Sequence, residues 1–192
     1  MKKTLITLFT AVALLAFKPI ADGTWTVDSA HSKLGFSITH MMVSDVDGTF
    51  KNFTATITSS KDDFSDAVVE LSADVNSVST DNEARDKHIK NPDFFDVAKY
   101  PKMTFKSTSF KKTGDKTYKV TGDLTLKGVT KSVVLDATFR GVYTSQQTKK
   151  PVAGFKVSGT IKRKDFGIGA NFPTAALSDE VVLTANTEFA KN

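Results

Sequence analysis

The sequence predicts an all-β protein: an antiparallel β-barrel of about eight strands, with one short helix near residues 81–90. Three observations carry this. Apolar residues recur with period two through most of the chain, which places them on one face of successive strands. Short turns such as Gly114-Asp115 and Lys127-Gly128 join neighbouring runs, and short turns impose antiparallel pairing. Fifteen Phe against one Trp and three Tyr supply large apolar area without hydrogen-bonding tips. That composition suits a dry interior or a pocket for something greasy.

The elements follow in chain order. A short piece at Trp25–Val27 comes first, then a strand with Leu34, Phe36 and Ile38 on one face. Phe53, Ala55 and Ile57 alternate with threonines in the next. Val69, Leu71, Ala73 and Val75 repeat the pattern, as do Met103 and Phe105. Tyr118, Val120, Gly122, Leu124 and Leu126 form a long run, followed by Val133, Leu135, Ala137 and Phe139. Gly141 to Pro151 reads as a polar loop. Phe155, Val157, Gly159 and Ile161 come next, and Val181, Leu183, Ala185, Thr187 and Phe189 close the chain. The opposite faces are rich in Thr, Ser and Lys, and Thr tolerates both strand and water.

One stretch breaks the alternation. Thr80 with Glu83 fits a capping box, which starts a short polar helix running to about Lys90. Asn91-Pro92 ends it, because proline disfavours helix in the residue before it. Phe94, Phe95 and Tyr100 then lie in a loop between Pro92 and Pro101. Antiparallel strands with one apolar face must bury it. A closed barrel does so and removes every edge, whereas a two-sheet sandwich would bury the same faces. Ala55, Ala73, Gly122, Ala137, Gly159 and Ala185 fall on the apolar faces, a pattern compatible with a cavity and with tapered packing alike.

Lys2 and Lys3 precede a nearly continuous apolar run from Leu5 to Phe17. These 13 residues are short of the roughly 20 that span a bilayer, so the segment reads as a secretory signal over residues 1–21, followed by one domain over 22–192. Ala21 or Ala16 could precede the cleavage point, Pro19 fits the small-residue rule poorly, and an uncleaved anchor is the alternative. The chain has no Cys, which removes disulfides, thiolate metal sites, thiol nucleophiles and a lipoprotein anchor. Loss of residues 1–21 removes Lys2, Lys3 and Lys18 but no acid, so the net charge of +5 falls by three to +2. With no basic stripe interleaved with aromatics, nucleic acid is not the expected partner.

Asp28, His31 and Ser32 suggest a catalytic triad only in composition. Neighbouring strand residues point to opposite faces, so His31 cannot easily orient Ser32; a bend at Ser29-Ala30 would allow other pairings, but local backbone bonding is the better reading. His31, His40 and His88 lack the local pairing of a metal site, which leaves only long-range convergence with Asp28, Asp86 or Asp93 as a route to one. Ile161 to Lys164 reads as a solvated basic loop, and Gly167-Ile168-Gly169 as a loop without a nucleotide fingerprint. Arg85, Lys87, His88 and Lys90 make the helix cationic: a solvated face, or a basic lid facing a polar head group.

Together these residues resemble the YceI-like family, the bacterial polyisoprenoid-binding proteins. Trp25 to Asp28, His31, Ser32, Phe36 and His40 match its opening pattern, with Trp25 where Tyr is more usual. Gly48, Phe50 and Phe53 resemble its next block. Arg85, His88, Asp93, Phe94, Phe95, Asp96, Tyr100 and Pro101 resemble the most recognisable one. Val120 to Thr130 is similar to its central hairpin, and Gly159 to Gly169 with Asp179 to Val181 to its C-terminal block. The resemblance implies a lipocalin-like barrel without catalytic activity or resident cofactor, holding an isoprenoid, quinone or similar chain in the periplasm or outside the cell. A role in transport, storage or stress response is expected with it and a homodimer goes with the family, while transient membrane contact is a separate expectation for a lipid-holding barrel.

The alternation then assigns faces. Phe36, Ile38, Phe53, Leu71, Phe105, Leu124, Leu135, Phe139 and Phe155 are the expected cavity wall. Arg85, His88, Phe94, Phe95 and Tyr100 are the expected mouth. Two other functions compete: a lipid-modifying enzyme using Asp28, His31 or His88, and a stress protein whose interior is packed solid.

Overall fold

The computed structural model describes residues 23–192, and the segment 1–21 read as an export signal lies outside them. Among the described residues, 11 strands form one antiparallel sheet. They are β1 (Thr24–Val27), β2 (Lys33–His40), β3 (Ser44–Phe50), β4 (Phe53–Thr58), β5 (Val68–Asp74) and β6 (Val78–Ser79). After helix α1 (Glu83–Ile89) come β7 (Lys102–Lys112), β8 (Thr117–Leu126), β9 (Val129–Thr144), β10 (Pro151–Lys162) and β11 (Leu177–Lys191).

Several of these are halves of one line. β1 and β2 both lie along β11. β1 pairs with its C-terminal end, where Val27 faces Phe189, and β2 pairs further back, where Leu34 faces Ala185. A 3-10 turn at Ser29–His31 divides them, and the Asp28 carboxylate caps it by accepting from the Ala30 N–H at 3.0 Å. A 3-10 turn at Val75–Ser77 divides β5 from β6 in the same way, with Asp74 accepting from the Asn76 N–H at 2.9 Å. β3 pairs with β2 and β4 with β1, so β3 and β4 also form one line. Three split lines and the five strands β7 to β11 make a ring of eight, closed where β1 meets β11. The ring is an antiparallel barrel, as the alternation predicts.

The structure departs from the alternation at three places in the sheet, the first being Val75, which opens the 3-10 turn after β5 instead of continuing the strand. β3 is a strand that the pattern does not predict, because Gly48 stands where an apolar residue is called for. β9 runs past Gly141 and pairs Thr144 with Pro151, so the polar loop shrinks to residues 145–150.

The far end of the barrel is sealed by the loop between β4 and β5. Phe64 is 1% exposed and packs its ring against Trp25, Phe139 and Phe155, at centroid distances of 5.2, 5.2 and 5.1 Å. The loop is held by polar contacts at its rim. Ser59 and Ser60 donate to Asp66, and the Tyr118 hydroxyl donates to the Asp63 carbonyl. A hydrogen bond from Lys112 is the main influence that holds the Asp63 carboxyl down at about 2.

Candidate functional site

Because the far end is plugged, the remaining volume of the bore faces the end that carries α1. Two apolar cavities occupy it. The larger, about 380 Å³, is walled by strand residues such as Phe36, Ile38, Phe50, Ile161 and Leu183, and roofed by Ile89, Phe94, Phe95 and Phe172. The smaller, about 130 Å³, lies toward the plug among Ala55, Leu71, Phe105, Leu135, Ala137, Phe155 and Ala185. Phe50, Met103, Leu124 and Leu183 line both, and so form the waist between them. The larger cavity alone falls in the size range of about 300–1,000 Å³ common for small-molecule sites.

Inward-facing glycines keep the bore open. A Cβ on Gly48 would collide with the Phe36 ring, and one on Gly122 with the Phe105 ring. Gly159 gives Leu135 the same room. These large side chains therefore lie flat on the neighbouring strand instead of projecting into the bore. They line it without filling it.

The mouth is built by α1, the aromatic loop and the segment after β10. Asn82 caps α1, its side chain accepting from the Arg85 N–H at 2.9 Å. Thr80 does not serve as the cap predicted for it, because Asp81 takes a left-handed φ of 57° and passes the cap to the residue after it. The buried Thr80 hydroxyl donates to Asp86 at 2.6 Å and accepts from Arg85 Nε at 2.8 Å. Arg85 Nη2 also donates to the Thr80 carbonyl at 2.8 Å, which holds the guanidinium at the rim. Arg85, His88 and His40 line the larger cavity and are exposed to solvent, so the cavity opens beside them. His88 packs on Phe94 at 5.1 Å, and Phe94 on Phe172 at 5.0 Å. Lys127 Nζ donates to the carbonyls of Pro92 and Gly167, both at 2.8 Å, and so ties the aromatic loop to the segment beyond β10.

Arg163 organises that segment. The sequence suggests a solvated basic loop for it, but the residue is 2% exposed. Nε donates to the Ser178 carbonyl at 2.9 Å, Nη1 to Ile168 at 3.0 Å and to Gly169, and Nη2 to Phe172 at 3.0 Å and Leu177 at 2.9 Å. All five guanidinium N–H donors thus end on backbone carbonyls. Burial pushes the pKa of the group down, and Asp179 opposes this.

Residues 25–189 match the YceI-like domain. This chain belongs to the YceI-like family. A UPF0312 protein of Pseudomonas savastanoi pv. phaseolicola is 40% identical over 187 residues, 93% of this chain and 94% of its own. The crystal structure of the Campylobacter jejuni YCEI protein superposes with a TM-score of 0.72 at 37% identity, covering 86% of this chain and 96% of its own. A polyisoprenoid binding domain from Saccharophagus degradans, at 16% identity, shares the fold with a TM-score of 0.66 over 88% of this chain and 98% of its own.

Within this YceI-like barrel, Phe36, Ile38, Leu71, Phe105, Leu124, Leu135 and Phe155 line one cavity or both. Phe53 lies in the buried core outside either lining, and Phe139 packs on the Phe64 plug. At the mouth, Arg85, His88, Phe94 and Phe95 line the larger cavity. Tyr100 does not. It lies against the Lys127-Gly128 turn, where its ring occupies the space a Gly128 Cβ would need. Sequence reasoning missed His40, Val46, Phe50, Met103, Phe172 and Leu177 in the lining. Phe50 sits two residues from Gly48 on β3, so extending the alternation through the glycine would find it. Asp28 and His31 bond each other at 2.8 Å and are not enclosed, and Ser32 accepts from the Glu188 N–H at 3.0 Å. None of the three lines either cavity.

Replacing Arg163 by Met should leave five carbonyls without this donor and lower unfolding free energy by about 3–5 kcal/mol. Arg163→Lys should recover only part, because an ammonium offers three donors from one point. Urea denaturation checks the size, and limited proteolysis should cut both variants faster between residues 167 and 176. A lysine variant as stable as the wild type would contradict this role.

Proposed function

We propose that the protein binds a single long, largely apolar chain in its bore, with a small polar head at the mouth beside Arg85, His88 and His40. The carrying observation is the pair of cavities that run from the solvent-exposed mouth toward the Phe64 plug, lined almost wholly by carbon. A ligand there gains affinity from apolar area, at roughly 25 cal/mol per Å² buried. A narrow waist between two chambers suits an extended chain better than a compact ring system. Isoprenoid chains, polyprenyl or quinone-like, are the ligand class that best fits, and the name of the Saccharophagus degradans fold neighbour supports that choice.

A binding role agrees with the site better than catalysis does. Asp28, His31 and Ser32 stand apart from the bore, and His88 meets it through ring contacts with Phe94 and Phe172. The two voids argue against an interior packed solid. Lys2, Lys3 and the apolar run after them support work outside the cytoplasm, and transport or storage of lipid or a stress response is the role we assign to the barrel there. Protein recovered from the periplasm or the medium should begin at Asp22 on N-terminal sequencing. An intact Met1 on all of it would contradict export with cleavage.

Titration with parinaric acid, a linear polyene that fluoresces in dry surroundings, should give saturable binding that geranylgeraniol displaces. Leu124→Trp and Leu183→Trp each fill the waist and should weaken binding by at least about tenfold, the scale of one or two lost methylene burials. Val134→Trp, on the exposed outer wall, should leave it unchanged. Equal binding by all three variants would place the ligand outside the bore.

A further inference from the structure

The hairpin between β2 and β3 ends in Met41, Met42 and Val43, which are 53%, 74% and 83% exposed. Three consecutive apolar side chains at a loop tip are unfavourable in water. The backbone sharpens the point. The Val43 N–H donates to the His40 carbonyl at 3.1 Å, and the two residues between them hold left-handed φ values of 51° and 61°. That is the φ signature of a type I′ turn, which favours Asn and Gly. The Lys127-Gly128 turn, with φ values of 49° and 74°, places glycine at its second position. Two methionines in the same geometry give up that preference, and local folding supplies no reason for them.

The position of the tip supplies one. His40 and Val46, on either side of it, line the larger cavity. The Met41 N–H donates to the Ala176 carbonyl at 2.9 Å, fixing the tip to the segment that Arg163 organises at the mouth. The tip and the opening of the bore therefore lie at the same end of the barrel.

We propose that Met41, Met42 and Val43 insert among the acyl chains of a bilayer and so hold the mouth against the membrane surface. This rests on the lipid-binding reading of the bore, since a chain leaving the membrane for the cavity needs a dry path. Methionine is flexible and apolar, which suits a fluid partner better than a shaped one. The tip has no cation of its own and the strand after it carries exposed Asp45 and Asp47, so on a neutral bilayer insertion is driven by apolar area and not by the cations of α1. Attachment is by apolar insertion: weak, reversible and nearly insensitive to salt.

The experiment is flotation of the purified protein with phosphatidylcholine vesicles, alongside the triple variant Met41→Asn, Met42→Gly and Val43→Thr. The variant gives the turn its preferred residues, so its thermal midpoint should equal or exceed that of the wild type. Wild-type protein should float equally at low and high salt, and the variant should bind vesicles at least about tenfold more weakly. Parinaric acid binding in vesicle-free solution should be the same for both. Equal flotation of the two, or none of the wild type, would overturn the proposal. So would a wild-type dimer that the variant converts to monomer without vesicles, which would make the tip a face between two copies. Loss of parinaric acid binding from both proteins, with flotation intact, would instead overturn the reading of the bore and leave the membrane contact standing.

Discussion

A closed antiparallel sheet has only its own side chains with which to fill its centre, and this constraint governs the rest of the molecule. Eight lines of strand fix the bore, so the volume left inside depends on what points inward. Here much of the inward surface is Phe and Leu. Gly48, Gly122 and Gly159 let Phe36, Phe105 and Leu135 lie down against the wall. The voids are thus a consequence of specific small residues opposite specific large ones, in a register fixed by the closure between β1 and β11.

The two ends of the barrel solve different problems. At the plugged end, a ring is the seal: Phe64 fills the gap among Trp25, Phe139 and Phe155, and its loop is tied down by serine and tyrosine hydroxyls. At the mouth no single side chain closes the bore. A long irregular segment must instead be held in shape without burying unpaired backbone groups, and Arg163 does this with five hydrogen bonds to carbonyls. A charge is tolerated there because every donor on it is used. The same end carries the helix, exposed His40 and His88, and the aromatic cluster of His88, Phe94 and Phe172.

Much of this is legible in the sequence because period-two alternation reports a sheet face directly. Phe36, Leu71, Phe105, Leu124 and Leu135 reach the bore for that reason alone. What cannot be read there depends on contacts between distant segments. Gly48 hides β3, since a glycine that makes room for a ring looks like a break in the pattern. Arg163 looks solvated because the carbonyls that receive it come from residues 168 to 178, brought round only by a folded loop. Thr80 carries the right residue spacing for a cap, yet the left-handed turn at Asp81 passes the role to Asn82. Tyr100 shares a loop with Phe94 and Phe95, but a loop has no fixed period, and its ring turns to the Lys127-Gly128 hairpin.

The central claim is that the bore is built for an apolar chain. The most direct measurement is native mass spectrometry of the protein purified gently from its own host, with organic extraction of the same sample. The account predicts a population heavier than the bare polypeptide, and an extract containing a long-chain, neutral or weakly polar lipid in amounts comparable to the protein. A single species at the mass of the polypeptide, with no lipid in the extract, would contradict it.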